Sequence, residues 1–206
     1  MASGTREHTM KSSEHAPSTA TMVESEVKLA CDDLSRLYDA GFELKIVVPR
    51  HFEDNWLLDT SQHALLTQGS ALRVRFARGR GWITFKGAVR DTDSVVKVRE
   101  EIEVETTHPE RSVELFARLG FERSFRYQKY RTAYQLTVDG KELAVVFDET
   151  PMGNFIEIEG NENAVTFVFK ASGFSSSDIV RESYPELQAK RCRERGVPLE
   201  DLVFIR

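Results

Sequence analysis

The chain has 206 residues, with 28 Lys or Arg against 33 Asp or Glu, a formal net charge of −5 and a pI near 5.6. So balanced a charge gives no global attraction for nucleic acid, and no apolar run approaches the roughly 20 residues that a membrane helix needs. Hydrophobic residues are 40% of the chain and include 13 Phe, enough for one core of ordinary size.

Residues 1–21 are rich in Ser, Thr and His and poor in apolar residues, so a disordered tail is expected there, with a single domain over 22–206. No apolar leader is visible, and Cys31 and Cys192 stand far apart without a CxxC. The expectation is two reduced thiols in a cytoplasmic protein. The five His residues have no zinc-type spacing.

Along the chain, strands are predicted at 23–30, 44–49, 55–59, 71–77, 82–87, 95–106, 126–137, 142–148 and 154–160. Helices are predicted at 31–40, 109–119, 162–172 and 176–195, the last with room for a hairpin at Pro185. Three of these helices end in Gly-Phe, at Gly41-Phe42, Gly120-Phe121 and Gly173-Phe174. Glycine supplies the left-handed residue just past a helix, and the apolar residue after it closes on the last turn. Each such helix follows a strand carrying Glu-x-Glu, and Glu24 and Glu103 stand equally far ahead of their glycines. The pattern reads as an internal structural repeat.

Side chains alternate faces along a strand. That parity puts Glu24, Glu26 and Lys28 on one face and Val23, Val27 and Leu29 on the other. The later strands repeat the separation. Their charged faces carry Arg73 and Arg75, Lys86, then Lys97, Arg99, Glu101, Glu103 and Glu105, then Lys129 and Arg131, and finally Asp148, Glu157 and Glu159. A half-exposed sheet would also show alternation. The paired acids are harder to explain that way, since they repel unless a positive charge binds between them. A closed antiparallel barrel accounts for the whole set: apolar faces outward under amphipathic helices, charged faces lining an interior. Such an interior needs its charges paired or holding ligands. Carboxylate clusters suit Mg²⁺ or Mn²⁺, and Arg and Lys clusters suit phosphate.

Glu24-Ser-Glu26-Val-Lys28 is an ExExK motif that resembles the signature of the CYTH domain, or triphosphate tunnel metalloenzyme, superfamily. In order along the chain, Leu72-Arg73-Val-Arg75, Ile83-Thr-Phe-Lys86-Gly87, Arg99-Glu100-Glu101-Ile-Glu103, Lys129-Tyr-Arg131 and the segment from Asp148 to Glu157-Ile-Glu159 resemble its further motifs. The resemblance spans roughly residues 22–190.

It implies an α+β fold: a closed antiparallel barrel, a tunnel of about eight strands, with flanking helices. It also implies Mg²⁺ or Mn²⁺ as cofactor and a triphosphate-bearing small molecule as substrate, with no membrane or nucleic-acid partner and a homodimer left open. Carried over by position, the metal ligands would be Glu24, Glu26, Asp148, Glu157 and Glu159. Lys28, Arg73, Arg75, Lys86, Arg99, Lys129 and Arg131 would grip phosphate. Glu101 and Glu103, with Lys28, would carry catalysis. Lys97 and Glu105 match no motif position and read equally well as an ion pair at the tunnel mouth. The expected activity is a metal-dependent triphosphatase. The alternative is a class IV adenylate cyclase, which the stretch Ser183-Tyr184-Pro-Glu-Leu187 resembles. A third reading is a non-catalytic polyphosphate-binding module.

Overall fold

The structure, a computed structural model, describes residues 22–90 and 95–205, with side chains from residue 25 onward. The expected tail therefore lies outside the described residues.

Eight antiparallel strands close into a barrel: β1 (Met22–Ala30), β2 (Lys45–Thr60), β3 (Ala71–Ala77), β4 (Arg80–Lys86), β5 (Lys97–Thr106), β6 (Phe121–Val138), β7 (Lys141–Thr150) and β8 (Gly153–Glu159). Their order around the barrel is β1-β5-β4-β3-β2-β6-β7-β8. The helices are α1 (Ser35–Asp39), α2 (Ala64–Thr67), α3 (Pro109–Arg118), α4 (Glu162–Ala171) and α5 (Tyr184–Glu194).

The apolar faces point outward, as parity requires. Val27, Leu29, Val145, Ile156 and Ile158 pack with Leu37 of α1 and Val165, Val168 and Phe169 of α4, all buried. Leu72 and Val74 pack on the other side with Val113 and Phe116 of α3. The Gly-Phe repeat is visible in the caps. Gly41, Gly120 and Gly173 have φ of +82°, +90° and +68°. The Phe42 and Phe174 amides donate back to Leu37 and Phe169 carbonyls, while Phe121 instead opens β6.

Besides shifted strand ends, such as β6 beginning at Phe121 and not 126, four details differ from the sequence-based expectation. First, 44–49 and 55–59 are one strand, β2, which runs through Pro49. Register shifts between Ile46 and Val48 and between Val48 and His51 absorb the missing N–H. Second, α2 was not expected; the Asp59 carboxylate holds it by accepting from the Leu65 and Leu66 amides. Third, the helix expected at 31–40 is only five residues long. Fourth, the helix expected at 176–195 is a 3-10 turn (Ser176–Asp178), a connecting stretch and then α5. Ser183 and Glu186 form a capping box at the start of α5, so Pro185 lies in its first turn, where no N–H is needed.

The strands leave a seam. β1 pairs with β5 only as far as Glu26 and with β8 from Glu26 onward. β6 pairs with β7 only from Tyr130 onward. The C-terminal chain fills both edges. Ile179 bridges to Leu29, and the Val180 amide donates to the Lys28 carbonyl. Leu202 exchanges backbone hydrogen bonds with Arg126 and Gln128.

Candidate active site in the barrel interior

The inward face encloses a cavity of about 750 Å³ whose walls carry Glu26, Lys28, Arg73, Arg75, Lys86, Lys97, Arg99, Glu101, Glu103, Lys129, Arg131, Glu157 and Glu159. Register decides which of these meet. On β1 and β8, Glu26 stands opposite Glu159 and Lys28 opposite Glu157. Carboxylate oxygens of Glu26, Glu157 and Glu159 lie within 4.8 Å of one another. Like charges directly opposite on neighbouring strands are unfavourable unless a cation joins them.

Two of these acids differ sharply in their surroundings. Arg131 Nη2 donates to Glu157 at 2.6 Å, and Lys28 Nζ lies 3.4 Å from it. Burial pushes the Glu157 carboxyl up, but Arg131, Lys28 and Lys129 outweigh it and hold it well below the usual range. Glu159 has no basic group within ion-pairing distance among the described residues. Burial, then Glu157, raise its carboxyl above the usual range. A raised acid beside two others marks a place where positive charge is missing, and three oxygen donors suit a hard divalent cation. Glu24 is placed by its backbone opposite Arg99; its side chain lies outside the described residues. Asp148 is not brought into this group. It is fully buried and accepts from Arg131 (2.6 and 2.7 Å), Lys129 (2.8 Å) and the Tyr184 hydroxyl (2.7 Å).

Further basic residues of the interior each have their own partners. Arg73 donates to Thr84 at 2.9 Å, to Glu103 at 3.3 Å and to the Tyr127 hydroxyl at 3.4 Å. Arg75 donates to Asn55 at 3.0 Å and pairs with Glu53 at 3.3 Å. Lys86 pairs with Glu101, and Arg99 reaches Glu26 at 3.5 Å. Buried Nε donors of Arg73 and Arg99 have no hydrogen-bond partner among the described residues. A buried guanidinium donor without an acceptor is costly, and an anion such as phosphate would supply one. Lys97 also lines the cavity, where burial and then Lys28 lower its pKa. Glu105 instead pairs with Arg80 at 2.5 Å in an exposed position.

Five more residues contribute to the interior; parity puts Thr84 beside Lys86 and Tyr127 beside Lys129 on polar faces, with no site role assigned to any of the five. Glu53, 2% exposed, links Arg75 and Lys129 at 3.3 and 3.6 Å. Burial raises its carboxyl, but Arg75, Lys129 and Arg131 pull it well below the usual range. Asn55 and Thr84 complete the Arg75 and Arg73 bonds. Tyr127 and Tyr184 line the cavity as aromatic walls. Parity along Glu53-x-Asn55-x-Leu57 carries a signal for the first two. For Tyr184 there is none, because its position depends on how the C-terminal chain folds back.

A family model described as "CYTH domain" matches residues 22–184. The chain is 27% identical over 183 residues to a Methanocaldococcus jannaschii protein whose name proposes an adenylate cyclase, covering 81% of this chain and 99% of that protein. Among solved structures, a Pyrococcus horikoshii protein matches with a TM-score of 0.63 and 24% identity, covering 82% of this chain and 99% of that one. A Hippeastrum protein, proposed as an adenylyl cyclase and described as having a dominant triphosphatase activity, matches with a TM-score of 0.57 and 23% identity. That match covers 86% of this chain and 99% of the Hippeastrum chain, and at such identity it speaks for the fold.

Proposed function

Since the chain belongs to the CYTH domain family, we propose that it is a divalent-metal-dependent triphosphatase that hydrolyses a triphosphate held in the barrel interior. One observation carries the reading. Glu159, a buried carboxylate without a basic partner beside Glu26 and Glu157, shares one cavity with buried Arg73 and Arg99 Nε donors that lack an acceptor among the described residues. A metal-bound triphosphate supplies both missing partners.

In this reading residues 22–206 form one domain, and residues 1–21 lie outside it. Cytoplasmic placement is part of it, supported by the two free thiols. Glu26, Glu157 and Glu159 would hold Mg²⁺ or Mn²⁺, with Glu24 as a further ligand. The ion would offset negative charge on phosphate oxygens. Lys28, Arg73, Arg75, Lys86, Arg99, Lys129 and Arg131 hold the triphosphate extended and stabilise charge on its terminal oxygens, which is most of what phosphoryl transfer requires. Asp148 and Glu53 keep Lys129, Arg131 and Arg75 in place from beneath. A water attacking the terminal phosphorus must lose a proton. Of the two candidate bases, Glu103 is 38% exposed at its side chain against 14% for Glu101, so Glu103 has the better access to that water.

A second reading, cyclisation of ATP to cyclic AMP, is favoured by the name of the Methanocaldococcus jannaschii relative. Purified protein with tripolyphosphate, thiamine triphosphate or ATP and either metal separates the two. Orthophosphate without cyclic AMP is expected; cyclic AMP with pyrophosphate from ATP would sink the triphosphatase.

A further inference from the structure

The family match ends at Tyr184, just past the Ile179-Val180 stretch that lies along the edge of β1. Tyr184 is 4% exposed, and its hydroxyl donates to Asp148 Oδ2 at 2.7 Å. Its ring centroid lies 4.4 Å from Lys28 Nζ and 5.3 Å from Lys129 Nζ. Lys28 Nζ also donates to the carbonyl of Glu182, two residues earlier in the same segment, at 3.3 Å. Two ammonium groups of the proposed phosphate grip thus lie against one aromatic ring.

The choice of an aromatic has a chemical consequence. A further carboxylate in that place would add to the ones already paired with these lysines and compete with an incoming anion. An aromatic face attracts an ammonium through its quadrupole and adds no negative charge. The ring can therefore help fix where the two cations sit without adding to the carboxylates that already pair with them, Glu157 for Lys28 and Asp148 with Glu53 for Lys129.

We propose that Tyr184 is a positioning residue for the triphosphate: its ring seats Lys28 and Lys129 at the seam side of the tunnel while its hydroxyl steadies Asp148. The C-terminal segment then sets the geometry of the phosphate grip. This rests on the triphosphate reading of the site.

The test uses the full chain with Tyr184→Leu, Tyr184→Phe and Leu37→Ala, the last opening a void under α1 away from the tunnel. Two quantities are read: KM and kcat for tripolyphosphate, and the acylation rates of Lys28 and Lys129 followed by mass spectrometry without substrate. Tyr184→Leu should raise KM about tenfold with kcat held within about threefold, and both lysines should label several-fold faster. Tyr184→Phe keeps the ring and should restore KM to within about threefold. Leu37→Ala should lower the melting temperature and leave KM and labelling at wild-type values. If Tyr184→Leu does not fold, Tyr184→Met, closer in volume, takes its place. Unchanged KM and labelling in the Leu variant, or equal effects in Leu37→Ala, overturn the proposal. If wild-type protein turns over no triphosphate, the hydrolytic reading falls, and the labelling contrast alone decides the role of Tyr184.

Discussion

Glu157 and Glu159 stand two residues apart on the same face of β8, yet their carboxyls are shifted in opposite directions. Arg131 and Lys28 surround the first; the second has burial and Glu157 itself against it. The contrast places the unmet demand for positive charge at Glu159. Metal binding should therefore displace a proton from Glu159, and affinity should fall as pH drops through its raised pKa. Calorimetric titration with Mn²⁺ in two buffers of different ionisation enthalpy reads that proton. Its release should vanish in Glu159→Gln; equal release from that variant would contradict the assignment.

The same opposition governs stability without metal. Asp148 and Glu157 have lowered pKa values, so the stability they contribute is present above the ordinary carboxylate range and lost as pH falls through their folded values. Glu159 has the reverse sign. Its contribution is present below the ordinary value and lost as pH rises through its raised one. Metal-free Glu159→Gln should thus melt higher than wild type at neutral pH and nearly alike in acid. A lower melting temperature at neutral pH would show that the carboxylate is compensated some other way.

With Lys129, Arg131 and Tyr184 on its oxygens, Asp148 is proposed to act as a structural anion and not as a metal ligand. Asp148→Asn would leave Lys129 and Arg131 short of a buried counter-charge, at a cost of about 3–5 kcal/mol. For a chain of this size that corresponds to a fall of roughly 6–20 °C in melting temperature. The loss should be as large without metal as with it. A variant that melts like wild type when metal-free, and differs only when Mg²⁺ is added, would return Asp148 to the metal site.

Arg99 tests the grip. Its Nε is buried without an acceptor among the described residues, and its Nη2 reaches Glu26 at 3.5 Å. Arg99→Lys keeps the charge and removes the planar fork. The expected effect is a KM for tripolyphosphate raised about tenfold, or about 1.4 kcal/mol, with the melting temperature little changed. An unchanged KM would remove Arg99 from the phosphate contacts.

Much of this was legible in the sequence because strand parity is a local property. Alternation alone separated Glu26 and Lys28 from Val27 and Leu29, and it told the inner face from the outer on most strands. Pairing was less legible. That Arg131 would divide itself between Asp148 and Glu157 depends on the register of three strands, which no single segment encodes. Pro49 hid the continuity of β2, and with it Glu53, because the bulges that tolerate a proline follow from pairing with β6. Residues 176–195 looked helical throughout. Docking against the free edge of β1 held Ile179 and Val180 extended instead and brought Tyr184 to Asp148.

The most decisive experiment is product analysis with tripolyphosphate and ATP, in Mg²⁺ and in Mn²⁺, for wild type and Glu26→Ala. Metal-dependent release of orthophosphate is expected, with no cyclic AMP and with turnover in Glu26→Ala reduced on the order of a hundredfold or more. Cyclic AMP and pyrophosphate as the main products, or turnover indifferent to metal and to Glu26, would contradict a metal-dependent triphosphatase in this tunnel.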